Sequence, residues 1–364
     1  IPASQRVNPV GPIIGGDTWA HLGAVKRISM DWQPWVDQYY GEGIARSYSW
    51  FWHIILAGLS IIFPLYSLAI WSPLFFWIIT TTLVYFMIKE IFGRTSSILF
   101  ILFYYVIIFD TSIVNPNPKN FLILSFISAF YLMYKTFTEE KIKWPIIGGI
   151  TLGIIFWNYT MLGYFLLIPF AFVLFKLIFN YKNEINTIYL NLKKCLTILF
   201  FAILISIPYW LPIVLDYNAE HAKLAKELIV ASGSQASYMV YGYPLFVTIK
   251  SLLSEAFTLS QHWYLIPFMI LGYFILFQKR NEIKYQLLIT AIIVTILGSF
   301  HDKITKFLFG WNGFQPFYFP TFLRFFCVII LILGFTAAFN YLLSFLKNNS
   351  EKVVAYTLIF LTLL

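Results

Sequence analysis

The strongest constraint on this chain is a series of apolar runs, each close to twenty residues long and nearly free of charge. They cover residues 72–90, 96–112, 119–135, 145–160, 161–179, 195–215, 262–278, 286–300, 325–346 and 353–364. A helix needs about 20 such residues to cross the ~30 Å hydrocarbon core of a bilayer. The runs are continuous rather than alternating at period two, which argues against a transmembrane barrel. A water-soluble surface requires roughly 25% charged residues; this chain has 11% charged and 60% hydrophobic residues. The expected fold is all-α, a polytopic transmembrane helical bundle of about 10 spans with juxtamembrane helices and long external loops.

Lys and Arg in the short connections set the orientation. Lys89/Arg94, Lys135/Lys141/Lys143, Lys176/Lys182/Lys193/Lys194, Lys279/Arg280/Lys284 and Lys347/Lys352 fall at every second connection. With those on the cytoplasmic side, residues 1–48, 110–119, 216–261 and 301–324 become external. Four parts follow: a first external loop with juxtamembrane helices (1–71), an N-terminal transmembrane core (72–215), an external loop with an amphipathic helix (216–261), and C-terminal transmembrane helices with the external loop 301–324 (262–364). The amphipathic helix is expected over about 219–231, where Lys223 and Lys226 flank an apolar face. The apolar stretch 49–70 is expected to lie in the membrane plane or to insert halfway, because Pro64 and Pro73 interrupt it and aromatic residues crowd it. An ordinary crossing helix is the alternative. The net charge of +9 then reads as topology signals, and no nucleic-acid partner is implied.

Ile1 is not an initiator and Leu364 stops within an apolar run, so the chain is expected to be part of a longer protein, preceded by one more transmembrane helix. Cys195 and Cys327 fall at opposite membrane faces, too far apart for a disulfide.

In this topology all six Asp and all five His lie on the external side, whereas the cytoplasmic acids are Glu only. Asp and His are the residues that phosphate, metal or proton-transfer chemistry uses. The crossing runs carry almost no ionisable groups near their centres, unlike proton-coupled carriers. The external loops are therefore the place to seek a site. In the first of them, Gly15-Gly16-Asp17 predicts a helix starting at about residue 17 and running to about Ile28, with Asp17 as its cap. Asp17 and His21 are four residues apart and share one face. Such a pair can deprotonate an alcohol or share a divalent cation, and a capping Asp beside an exposed His is the simpler alternative.

Further markers follow in order: Trp32-Gln-Pro-Trp35, Arg46-Ser-Tyr48, His53, Lys89-Glu90-Ile-Phe-Gly93-Arg94, Asp110 with Asn115 and Asn117, and Gly149-Ile-Thr-Leu-Gly153 before Asn158-Tyr159-Thr160. Over residues 15–180 this order resembles the GT-C superfamily of integral-membrane glycosyltransferases, and within it the protein mannosyltransferase and aminoarabinose-transferase core. The resemblance implies a polyprenyl-phosphate-linked sugar as donor, transfer at the external face of the plasma membrane, and Asp17 as base or metal ligand. It places Asp110 near a second acidic site and allows a divalent cation, Mg or Mn, as cofactor. The Trp-Trp-Asp-Tyr-Gly-type signature of oligosaccharyltransferases, found there in a C-terminal soluble domain, is absent from these residues, which points away from that branch.

A lipid-phosphate donor needs cations near the external interface. Lys26, Arg27, Arg46 and Arg324 are the candidates, with His21 and His53 as further substrate contacts. The Arg324 guanidinium could grip a phosphate at two points, or anchor its helix among lipid headgroups. Membrane lipids are partners in any case. Two other functions fit the same composition: a non-catalytic lipid-binding or scaffolding subunit beside other membrane subunits, and a transporter or flippase of a lipid-linked substrate.

Overall fold

The computed structural model describes residues 16–31, 51–107, 121–158, 165–180, 185–215, 245–256, 264–300, 303–304 and 318–348, and the statements below concern these. Among them every regular element is an α-helix. In chain order they are α1 (Gly16–Asp31), α2 (Phe51–Leu59), α3 (Leu65–Phe92), α4 (Arg94–Ile107), α5 (Leu122–Thr138), α6 (Lys143–Asn158), α7 (Leu167–Asn180), α8 (Ile185–Leu215), α9 (Leu245–Ala256), α10 (Ile266–Gln278), α11 (Ile283–Gly298) and α12 (Tyr318–Asn348).

Three helical segments are long and apolar enough to cross a bilayer: Leu65–Phe92, Asn186–Pro208 and Leu323–Ser344. Helices α10 and α11 pass the same test together, bent by 116° at the turn between them. Segments of α4, α5, α6 and α7 are apolar but shorter, at 10–17 residues. The run at 96–112 shows one reason for the shortfall against ten expected spans, since it continues past Ile107, outside the described residues. The stretch 49–70 does not make one crossing helix. Helix α2 stops at Leu59, a turn follows, and α3 starts at Leu65 behind Pro64. The nine described residues of α2 make about 13 Å of helix, short of a crossing.

Burial sorts the helices into central and peripheral. On α5, eleven of seventeen residues are buried, from Ile123 to Phe137, so it has no lipid face of consequence. On α12, every residue from Leu323 to Gly334 is buried except half-buried Arg324. By contrast α3 keeps Trp71, Phe75, Ile78 and Phe86 exposed along one stripe, as a helix bordering lipid does.

In lipid, apolar helices gain little hydrophobic free energy by meeting, so close packing must hold them together. Two glycine contacts supply it. On α6, a Cβ added at Gly149 would lie 2.6 Å from the Ile198 carbonyl oxygen of α8, and one at Gly153 would lie 2.7 Å from Ile205 Cβ. On α10 and α12, a Cβ at Gly272 would collide with the Ile330 carbonyl, and one at Gly334 with the Phe268 carbonyl. Each glycine lets two backbones approach to a distance that any side chain forbids.

One end of the bundle is clasped by polar contacts. Helix α3 ends at Gly93, whose φ of 94° is the left-handed conformation that glycine adopts without strain. Just before it, Glu90 pairs with Lys135 of α5 and accepts from the Tyr131 hydroxyl at 2.6 Å. Lys135 also donates to Glu139 at 2.7 Å, and Trp144 Nε1 of α6 donates to the other Glu139 oxygen at 2.7 Å. Lys194 reaches in from α8 and donates to the carbonyls of Thr136 and Glu139, at 2.6 and 3.0 Å. That ammonium satisfies carbonyls that the end of α5 would otherwise leave unpaired. Phe92 packs on Phe130 and Tyr285, bringing the α10–α11 turn with Lys279, Glu282 and Lys284 to the same end. The basic connections thus gather at what we call the basic end. Cys195 and Cys327 are both buried, and neither is in a disulfide.

Two outcomes follow. Gly272→Ala should lower stability by about 1–3 kcal/mol through overpacking, whereas Gly23→Ala, which meets nothing within 4 Å, should not; thermal unfolding in detergent measures both. The Lys135 and Trp144 hydrogen bonds hold the Glu139 carboxyl down from 4.5 to about 2. A depressed acid stabilises fully above its unfolded value and loses that contribution on protonation. The unfolding temperature should therefore contain a component that falls between pH 4.5 and about 2, and Glu139→Gln should remove it.

Candidate functional site

The opposite end, where α3, α5 and α12 begin and α4 and α11 end, carries α1 and α2. We call it the α1 end. Helix α1 starts at Gly16, so Asp17 lies in its first turn, within a residue or two of the expected cap position. The helix runs on to Asp31, three residues past the expected stop.

What holds α1 is a small core separate from the main one. Val25 and Ile28 of α1, Trp52, Leu56 and Ala57 of α2, and Phe76 of α3 pack together fully buried or nearly so, with Phe121 against them. The buried residues Leu22, Ala24, Val25 and Ile28 define the face that α1 turns to the bundle. At 100° per residue, positions 17 and 21 continue this face by one and two turns. The side chains of Asp17 and His21 lie outside the described residues, but the register of their helix is set by this core.

Lys26 and Arg27 are exposed. They stand nine and ten residues beyond Asp17, about 14–15 Å along the axis. They therefore cannot close on a small group beside Asp17, although an extended ligand could touch both. His53 is fully buried, edge-to-face against Trp52 with ring centroids 5.2 Å apart. The expected external substrate contact is here part of the platform beneath α1. Arg46 and Asp110 lie outside the described residues.

Arg324 is half-buried, seventh residue of α12. Its neighbours Phe325 and Phe326 are buried and pack on Phe126 of α5, at 4.8 and 4.6 Å between centroids. Phe126 in turn meets Phe165 at 5.3 Å. Five residues before it, Phe121 packs on Phe76 at 4.6 Å and on Phe51 at 6.2 Å. The start of α5 therefore touches both the small core under α1 and the aromatic cluster that fixes Arg324. Aromatic pairs of this kind add about 0.5–1.5 kcal/mol each beyond area burial. The structure brings the helix of Asp17 and the helix of Arg324 to one end through this ladder of rings.

The amphipathic helix expected at 219–231 falls outside the described residues. In the same loop the structure has α9, whose Thr248 hydroxyl receives a hydrogen bond from Lys303 Nζ at 3.1 Å. The spacing Leu245, Phe246, Ile249, Leu253 around a single Lys250 is the signal that would have found it. Among the described residues no group of three or more His, Cys, Asp or Glu could hold a metal ion.

No protein-family profile and no curated protein sequence matches the chain. Solved structures do. A crystal structure of the Archaeoglobus fulgidus oligosaccharyltransferase with zinc and sulfate is 15% identical, with a TM-score of 0.57, over 96% of this chain and 47% of that one. The archaeal oligosaccharyltransferase AglB of the same organism, with an inhibitory peptide and a dolichol-phosphate, is 14% identical, with a TM-score of 0.60, over 95% and 50%. The form tethered to an acceptor peptide containing the NVT sequon is 17% identical, with a TM-score of 0.57, over 95% and 49%. The chain spans about half the length of these proteins. Distance from oligosaccharyltransferases was expected from a missing C-terminal signature; the likeness of fold runs to those proteins instead. Over nearly its whole length the chain carries the fold of the archaeal oligosaccharyltransferase.

Proposed function

We propose that this chain belongs to a membrane glycosyltransferase that moves a sugar or glycan from a polyprenyl-phosphate-linked donor to a peptide acceptor. The observation that carries the reading is the meeting, at one end of an oligosaccharyltransferase fold, of the helix bearing Asp17 and the start of the helix bearing Arg324. The neighbours' dolichol-phosphate and acceptor peptide supply the two substrate classes. In this reading the basic end faces the cytoplasm, because Lys and Arg concentrate there. The α1 end then faces the outside of the plasma membrane, and the remaining apolar runs bring the spans to about 10.

In the transfer, the bond between the sugar's anomeric carbon and the donor phosphate oxygen breaks, and a bond forms from that carbon to the acceptor nucleophile. The electron pair of the broken bond stays on the lipid phosphate, which leaves as an anion. Arg324 holds that anion through its two parallel N–H donors. Asp17 accepts the proton that the nucleophile loses. Asp17 and Asp110 offer hard oxygen ligands suited to Mg or Mn, and a divalent cation bound there would neutralise phosphate charge. Lys26 and Arg27, exposed and farther along α1, suit the outer part of the donor headgroup or the lipid surface. Membrane lipids complete the surroundings.

The test uses membranes containing the protein, a labelled lipid-linked oligosaccharide and a sequon peptide. Asp17→Asn should cut transfer by roughly 100-fold or more, the scale of a lost general base, while the amount of protein in the membrane stays the same. Full transfer by Asp17→Asn overturns the assignment.

A further inference from the structure

Helix α9 is built inside out for a water-facing helix. Its buried positions are Thr248, 4% exposed, and Leu252, 9% exposed. Its outward positions are Leu245, Phe246, Ile249 and Leu253, with Phe246 74% exposed. At 100° per residue those four fall within about 100° of arc, a continuous apolar stripe. The only charged residue described on its outward side is Lys250, at the edge of the stripe. A helix in water would not leave four large apolar side chains on its outward face.

Its length excludes a crossing: twelve residues make about 18 Å of helix. Its position is set by the contact from Lys303 to Thr248, because Lys303 follows the end of α11. Helix α9 also packs on α12, whose first turns lie at this same end. It therefore sits at the α1 end. Beside it the bundle already shows apolar surface: Leu297 at the end of α11 and Ile304 next to Lys303 are exposed, as are Ile266 and Ile270 at the start of α10. The α9 stripe is in keeping with the apolar surface of helices that border lipid.

We propose that α9 lies in the plane of the membrane at the α1 end and docks the acyl chains of that leaflet on Leu245, Phe246, Ile249 and Leu253, with Lys250 reaching to headgroup phosphates. Long basic side chains take this position by burying their stems and keeping the ammonium in the polar layer. The hydrogen bond from Lys303 to Thr248 fixes the rotation of the helix, so its apolar stripe faces lipid and its one inward hydroxyl is satisfied. The inference stands independently of the transfer chemistry.

The test places a nitroxide label on Ile249→Cys and, separately, on Leu253→Cys in the full chain reconstituted into lipid nanodiscs, with Ile270→Cys on α10 as the lipid-facing reference. Collision rates with oxygen, which partitions into lipid, and with a water-soluble nickel chelate are then compared. Oxygen should exceed nickel severalfold at both α9 positions, as at the reference. Nickel exceeding oxygen would put the stripe in water and overturn the proposal. Suppression of both would show that protein covers the stripe and would overturn it equally. Both labels replace exposed side chains, so the fold is retained, and two positions guard against the loss of either variant.

Discussion

Backbone-to-backbone approach at glycine is the constraint on which the rest of this bundle depends. Lipid solvates leucine as well as another leucine does, so two apolar helices gain by touching only where their surfaces fit closely. At Gly272 and Gly334 the α10 and α12 backbones are so near that a methyl group has no space, and α6 meets α8 in the same way at Gly149 and Gly153. Helix α12 is thereby fixed along its length, and it carries Arg324 near its start. In the proposed transfer Arg324 holds a phosphate, and a cation in that role must not drift with its helix. The glycine contact in the middle of α12 and the Phe325–Phe326–Phe126 cluster beside Arg324 together remove that freedom.

The two ends are held by different kinds of force. At the basic end, Glu90, Lys135, Glu139, Trp144 and Lys194 join α3, α5, α6 and α8 by directional hydrogen bonds and ion pairs. Such contacts are specific in register, and several of their groups are part-buried, where charge-assisted hydrogen bonds are stronger than in open water. Under α1 the core is apolar and aromatic, through Val25, Ile28, Trp52, Phe76 and Phe121.

Much of this was legible in the sequence because it depends on period and charge alone. Runs of apolar residues identified the helices, and Lys and Arg sorted the connections; the clasp at Glu90, Lys135 and Glu139 shows those connections meeting in space. A helix from about Asp17 to about Ile28 was expected from the Gly-Gly-Asp turn, and α1 (Gly16–Asp31) covers those residues. Other features depend on contacts between distant segments and leave no local trace. Gly272 and Gly334 come from separate helices, so no spacing betrays their contact, unlike Gly149 and Gly153. His53 reads as a histidine of an external stretch, yet it is fully buried, edge-to-face against Trp52. Helix α9 was missed because the reading of that loop stopped at the Lys223/Lys226 segment, although Leu245, Phe246, Ile249 and Leu253 recur at helical spacing. Asp17 and Arg324 each stood out by residue type, but their shared end follows only from the contacts of Phe121 and Phe126 along α5.

Phe121 links the small core that holds α1 to the helix whose next turn packs against the rings beside Arg324. Phe121 lies at the start of α5 against the small core under α1, and Phe126 lies little more than one turn deeper, against Phe325 and Phe326. Five residues of helix rise about 7.5 Å, so the two anchor points are closer than the length of a lipid-linked diphosphate sugar. Because α5 is buried on nearly every side, it cannot tilt without disturbing several neighbours at once. Interiors packed in this way transmit small displacements instead of absorbing them. A shift of α1 against α3 would therefore load Phe121 and pass through α5 to the ring cluster beside Arg324.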